Sequence, residues 1–152
     1  MALKHAKPED IDELYAHFYA CREWFPHIRK DYLLRMLHAG TVVYSKGVII
    51  VYSVYKRKQR LGTATASAGE VILHQILNTV LASGETNTKA TTVLTAFFKH
   101  ISGPVWLTVR SENKRAIRFY LKNRFKKAGT ISWMSGALPG TVFTYKPTEI
   151  NP

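Results

Sequence analysis

Ile11, Leu14, Tyr15 and Phe18 recur at helical spacing behind Pro8-Glu9-Asp10, a pattern that predicts an amphipathic helix. Proline suits the first turn, where its missing N–H is not needed, and the acids favour the positive end of the helix dipole. After Trp24-Phe25-Pro26 the same spacing returns from about Arg29 to His38, with Tyr32, Leu33, Met36 and Leu37 on one side and Gly40 placed to stop the helix. The pattern then becomes β-rich. Thr41–Tyr44 and Gly47–Tyr55 flank Ser45-Lys46-Gly47 as a hairpin would. A basic stretch and the small-residue run Gly62–Gly69, with a strand edge of its own, connect to the apolar strand Glu70–Val80. Gly84–Asn87 reads as a loop and Lys89–Ile101 as a helix carrying Val93, Leu94, Phe97 and Phe98. Strand Val105–Arg110, helix Asn113–Lys122, strand Phe125–Trp133 and strand Val142–Tyr145 complete the order. This is a mixed α/β domain.

The 152 residues are most simply one domain, 1–152, with no internal repeat and no linker. Apolar runs such as Val48–Val54 are too short to span a bilayer, and the first residues lack the features of a signal peptide. Cys21 is the single cysteine, so no intramolecular disulfide forms, and no array of ligands has metal-site spacing. These features predict a cytoplasmic protein without metal or membrane association.

Asn113, Ala116 and Tyr120 stand at i, i+3 and i+7, one face of a helix between two strand-like runs. This strand, the Asn113-x-x-Ala116-x-x-Phe119-Tyr120 helix and the following Phe125 resemble the C-terminal half of the GNAT superfamily of N-acetyltransferases. The element order agrees over nearly the whole chain. The resemblance implies a central, mostly antiparallel sheet with two splayed parallel strands, flanked by helices, and an acyl-CoA cleft between Glu70–Val80 and Val105–Arg110. It implies acetyl-CoA as co-substrate, contacted by Ile76, Asn78 and Val80 along the strand. Asn113 and Ala116 would then sit near the pantetheine, and Tyr120 would protonate the departing thiolate. A core tyrosine beside Phe119, and a helix-capping Asn113, are the plain alternatives.

The family's pyrophosphate loop, usually Q/R-x-x-G-x-G/A, corresponds to Glu85-Thr86-Asn87-Thr88-Lys89-Ala90. Ala90 keeps the small residue; Glu85 and Thr88 depart from the pattern. A hydroxyl and a lysine still suit an anion at a helix start, and Thr88 as a bare N-cap suits the sequence equally. The N-T-x-A segment is also similar to the polar loop of Mom-type phage DNA-modification enzymes, members of the same superfamily. After Tyr120 the family's Gly-Phe is Arg124-Phe125 here, so Asn123 is expected to supply the left-handed cap.

Acyl transfer to an amine needs a base, and two residues qualify. Glu70 opens the central strand, and His74 lies within it with a suitable intrinsic pKa; a structural histidine is the alternative. Glu23, Trp24 and Phe25 lie where the family lines its acceptor pocket; Trp24 and Phe25 there either stack on a substrate or close the core.

The net charge of +12 widens the choice of acceptor. Arg110, Lys114, Arg115, Arg118, Lys122, Arg124, Lys126 and Lys127 form one basic segment, and Lys56-Arg57-Lys58-Gln59-Arg60 a second. Such a field attracts polyanions and disfavours polycationic acceptors. DNA or RNA is thus a candidate partner, with Arg57 and Arg60 as substrate contacts; a plain solvated basic surface is the alternative. Three functions stay open: an acyltransferase acting on or near nucleic acid, including base modification; a small-molecule or protein N-acetyltransferase; and a non-catalytic basic nucleic-acid-binding protein on this fold.

Overall fold

The computed structural model describes residues 3–79 and 89–147. Its elements are β1 (Lys4–His5), α1 (Ile11–Ala20), α2 (Lys30–His38), β2 (Val42–Ser45), β3 (Val48–Val54), β4 (Gln59–Leu61), β5 (Ala64–Ala66), β6 (Val71–Asn78), α3 (Lys89–Ile101), β7 (Val105–Arg110), α4 (Lys114–Lys122), β8 (Lys126–Trp133) and β9 (Leu138–Tyr145). The strands are hydrogen-bonded in the order β1-β2-β3-β6-β7-β9-β8, and β4-β5 form a separate ribbon. The β6/β7 pair is parallel, while β1/β2, β2/β3, β7/β9 and β8/β9 are antiparallel. This is the mixed sheet expected. The chain divides into two compact units, one within Met1–Ser53 and His74–His100, the other within Val54–Leu73 and Ile101–Pro152.

In the first unit, strand alternation sorts the core onto two faces. Val42, Ile49, Val51 and Leu77 pack with Leu14 and Phe18 of α1 and Leu33 and Leu37 of α2. Tyr52, one residue on from Val51, points the other way and meets Phe97 of α3 edge-on at 5.1 Å. The β2–β3 hairpin turns at Lys46 and Gly47, with φ of 49° and 78°, the two positive values of a type I′ turn. Helix α2 ends in a Schellman cap: the Gly40 and Thr41 N–H groups donate to the carbonyls of Leu37 and Met36.

In the second unit, β7 and β9 pair over six positions, from Val105↔Tyr145 to Arg110↔Gly140. Parallel β6 and β7 register at Val71↔Val105 and Ile72↔Trp106. The β4–β5 ribbon lays Leu61, Ala64 and Ala66 against Trp106 and Val142. Its tip reaches β8: the Thr63 N–H donates to the Thr130 carbonyl and the Thr130 N–H to Thr63 Oγ1, both at 2.9 Å. Gly62 beside it, at φ 58°, has the Thr130 carbonyl where a Cβ would stand.

Some elements differ from the sequence reading. Strand β1 was absent from it; two residues show no periodicity, and they are held by pairing with Tyr44 and Val43. The strand edge expected in the connection is a two-stranded ribbon that takes in the basic stretch, since Gln59–Leu61 pairs with Ala64–Ala66. The last strand begins at Leu138 rather than Val142, as pairing with β8 carries it back through Pro139 and Gly140.

Candidate active site

His74 sits on β6 with its Nε2 2.8 Å from Ser53 Oγ of β3. The ring of Tyr32, from α2, meets His74 edge-on at 6.3 Å. The Tyr32 hydroxyl donates to Gln75 Oε1 at 2.9 Å, and Ser53 Oγ lies 3.6 Å from Met36 Sδ. His74 keeps one side open to solvent, yet withdrawal of the imidazole from water lowers its pKa below the ordinary histidine value. The ring is therefore neutral at pH 7, with one nitrogen lone pair able to take a proton. Burial raises the pKa of Tyr32, and the Gln75 bond and the Arg35 charge partly oppose that rise. Tyr32 stays protonated and acts as a donor. Sequence reasoning had Tyr32 only as a core residue and did not single out Ser53; a lone serine inside the apolar run Val48–Val54 was the available signal.

Glu70 has another arrangement. It precedes β6 rather than opening it. Its Oε1 accepts from the Ser67 N–H at 2.6 Å and from Trp106 Nε1 at 3.1 Å. The carboxylate closes the β5–β6 turn and satisfies the buried Trp106 indole, tasks that favour a fixed group.

Tyr120 lies in the last turn of α4. Its ring is flanked edge-on by Phe119 at 5.5 Å and Phe125 at 5.4 Å. Burial pushes its pKa up to about 12, so the phenol holds its proton across the physiological range. A second Schellman cap fixes this placement. The Phe125 N–H donates to the Tyr120 carbonyl at 3.1 Å, and the accompanying apolar contact of that motif is the Tyr120–Phe125 pair itself.

The left-handed residue of this cap is Arg124, at φ 73°. Asn123, expected to fill the role, has φ −104° and is buried, its Nδ2 donating to the Phe119 carbonyl at 2.7 Å. The correction has a simple cause. The cap geometry fixes the position just before Phe125, and this chain puts arginine at the place of the family's glycine.

Asn113 caps α4, its Oδ1 accepting from the Ala116 N–H at 3.2 Å; Ala116 is half-buried. Ile76 is half-buried and Asn78 buried on β6. Val80, Glu85, Thr86, Asn87 and Thr88 lie outside the described residues. Lys89 and Ala90 open α3, whose first turn contains no acid. In the turn after α1, Glu23 and Trp24 are exposed, and Phe25 packs edge-on against Phe18 at 5.4 Å, a core contact. Arg57 and Arg60 are exposed, the Arg60 Nε donating to the Gly62 carbonyl. Among the described residues no group of acids, histidines or cysteine has a metal-site arrangement, and no helix is long and apolar enough to cross a membrane.

No family profile matches the chain, and no curated protein matches it. Solved structures do. A GNAT-family acetyltransferase from Streptococcus agalactiae 2603 superposes with a TM-score of 0.73 at 10% identity, covering 97% of this chain and 96% of that one. Ard1 from Thermoplasma volcanium gives 0.69 at 18% identity, over 97% and 98%. Arabidopsis thaliana NAA60 in complex with acetyl-CoA gives 0.68 at 15%, over 96% and 99%. The chain has the GNAT acetyltransferase fold from end to end.

Proposed function

We propose that this protein is an acyl-CoA-dependent N-acyltransferase, transferring an acetyl group to an amine. The observation that carries the reading is the whole-length fold likeness to GNAT acetyltransferases, one of them crystallised with acetyl-CoA.

The donor set at the start of α3 fits acyl-CoA. The first turn of a 13-residue helix carries a partial positive charge. With Lys89 and no acid in that turn, the end suits a pyrophosphate. Lys89, Ala90 and the preceding loop would hold it, with Ile76 and Asn78 along the pantetheine. Bound acetyl-CoA supplies a thioester, an acyl group activated toward amines. Tyr120 is the proposed acid, since a phenol with pKa about 12 retains the proton that a leaving thiolate requires. His74 is the proposed base, neutral at pH 7 and held by Ser53. Glu70 is left as a structural carboxylate. The acceptor amine is either a small molecule or a group on or beside a nucleic acid, and duplex DNA belongs among the substrates tried.

Thermal unfolding with and without acetyl-CoA, joined to thiol release with candidate amines, tests the reading. Saturating acetyl-CoA should raise the melting temperature. Tyr120→Phe should slow turnover at least tenfold near neutral pH with acetyl-CoA affinity nearly unchanged. A protein indifferent to acetyl-CoA would end the proposal; full turnover in Tyr120→Phe would remove only the acid.

A further inference from the structure

The charge of +12 is not shared evenly. Within Met1–Ser53 and His74–His100 there are nine Lys and Arg against seven Asp and Glu, a net of +2. Within Val54–Leu73 and Ile101–Pro152 there are thirteen against three, a net of +10. Acyl-CoA needs only two or three of these cations, so the proposed reaction does not account for the excess.

The excess is on the surface. Lys114, Arg118 and Lys122 stand at i, i+4 and i+8 on α4, so they form one stripe about 12 Å long at the helical rise per residue, and all three are exposed. Lys126 and Lys127 continue the exposed charge on β8, and Lys56, Arg57 and Lys58 add to it before β4. The same unit contains an open groove of about 740 Å³, lined by Thr63, Ser111, Thr130, Ser132, Thr141 and Lys127 together with the apolar Ile131 and Pro139, and by no carboxylate. The Thr63 oxygen already accepts from the Thr130 N–H, which leaves the hydroxyl proton for an outside acceptor.

Hydroxyls and lysine without an acid are the groups that hold phosphodiester oxygens, by contacts that position a strand and read no bases. We infer that the second unit is a binding surface for a single nucleic-acid strand, its phosphates taken by the hydroxyl groove and the α4–β8 cations. A concave groove suits a flexible strand better than a planar bilayer or a rigid duplex. The inference is independent of acyl transfer.

The test is fluorescence anisotropy with a labelled DNA single strand, an RNA of the same sequence and the matching DNA duplex, between about 50 and 200 mM salt. The single strands should bind, and affinity should fall steeply with salt. Neutralising the stripe with Lys114→Gln, Arg118→Gln and Lys122→Gln should reduce the log–log salt slope by about 2, given roughly 0.7 per phosphate on single strands. Lys4→Gln, Lys7→Gln and Lys46→Asn remove the same charge from exposed sites of the first unit and should leave the slope unchanged. Melting temperatures confirm that both triple variants fold.

Equal DNA and RNA affinities support backbone recognition, and a preference for either identifies the natural strand. Three results overturn the inference: equal losses from both triple variants, tighter binding of the duplex, or binding only to vesicles of anionic lipid or to an acidic protein. Loss of acetyl-CoA binding would not bear on it.

Discussion

The first unit buries a continuous apolar cluster in which Leu33, Val42, Val51 and Leu77 have no measurable exposure, and a second layer forms where Tyr52 meets Phe97. In the second unit the ribbon cluster is smaller, built on Leu61, two alanines, Trp106 and Val142, while the surface carries most of the charge. The units therefore differ in what limits them. Burial contributes about 1.5–3 kcal/mol for each large aliphatic side chain, so packing dominates the first. The second sets a core that includes Val105, Leu107 and Phe125 beneath self-repelling cations, an arrangement that favours a partner of opposite sign.

The sharpest way to break this contrast is Leu33→Ala. A cavity at a site with no exposure should cost about 2–5 kcal/mol, read from urea unfolding; a loss under 1 kcal/mol would deny the first unit its role as the stable block. Next comes His74→Gln, expected to lower turnover by about a hundredfold. It also carries a pH signature. The folded pKa of His74 lies below its ordinary value, so the unfolded chain binds the proton first, and stability falls as pH drops through about 6.5. His74→Gln should flatten that fall and remove the acid limb of the rate profile, with no alkaline loss from Tyr120 until pH nears 12. An unchanged acid limb would exclude His74 as the base.

Gly62→Ala tests the second unit. A Cβ there meets the Thr130 carbonyl, so the ribbon tip must lift, at about 1–3 kcal/mol; wild-type stability would show the tip to be loosely seated. Arg124→Gly has the smallest effect. It replaces an arginine at φ 73° by the residue that takes this conformation without strain, and should add about 0.5–1 kcal/mol. A loss would mean that the arginine side chain contributes more than its backbone costs.

Features encoded within a few residues were legible in the chain. The Lys46-Gly47 turn, the stop at Gly40 and the α4 face bearing Tyr120 each follow from local pattern, and the fold class followed from their order. Features made by distant residues were hidden. Ser53 and His74 are 21 positions apart, and only strand geometry brings oxygen to nitrogen. Glu70 looked like a base because its two donors, Ser67 and Trp106, come from a turn and from another strand. Gln59–Leu61 was too polar to read as a strand, since its partner and not its composition defines it. The Asn123 expectation failed by one position, where residue preference was weighed above the geometry of the cap.

The seat of Thr63 on Thr130 has a consequence for solubility. Strand β8 ends the ladder order, and a terminal strand with bare amide and carbonyl groups recruits strands from other molecules. The ribbon tip occupies those groups at mid-strand, and Lys126 and Lys127 make the neighbouring stretch unwelcoming to a second chain. Variants that unseat the tip should then reveal themselves first as turbidity in concentrated samples, before any change in chemistry.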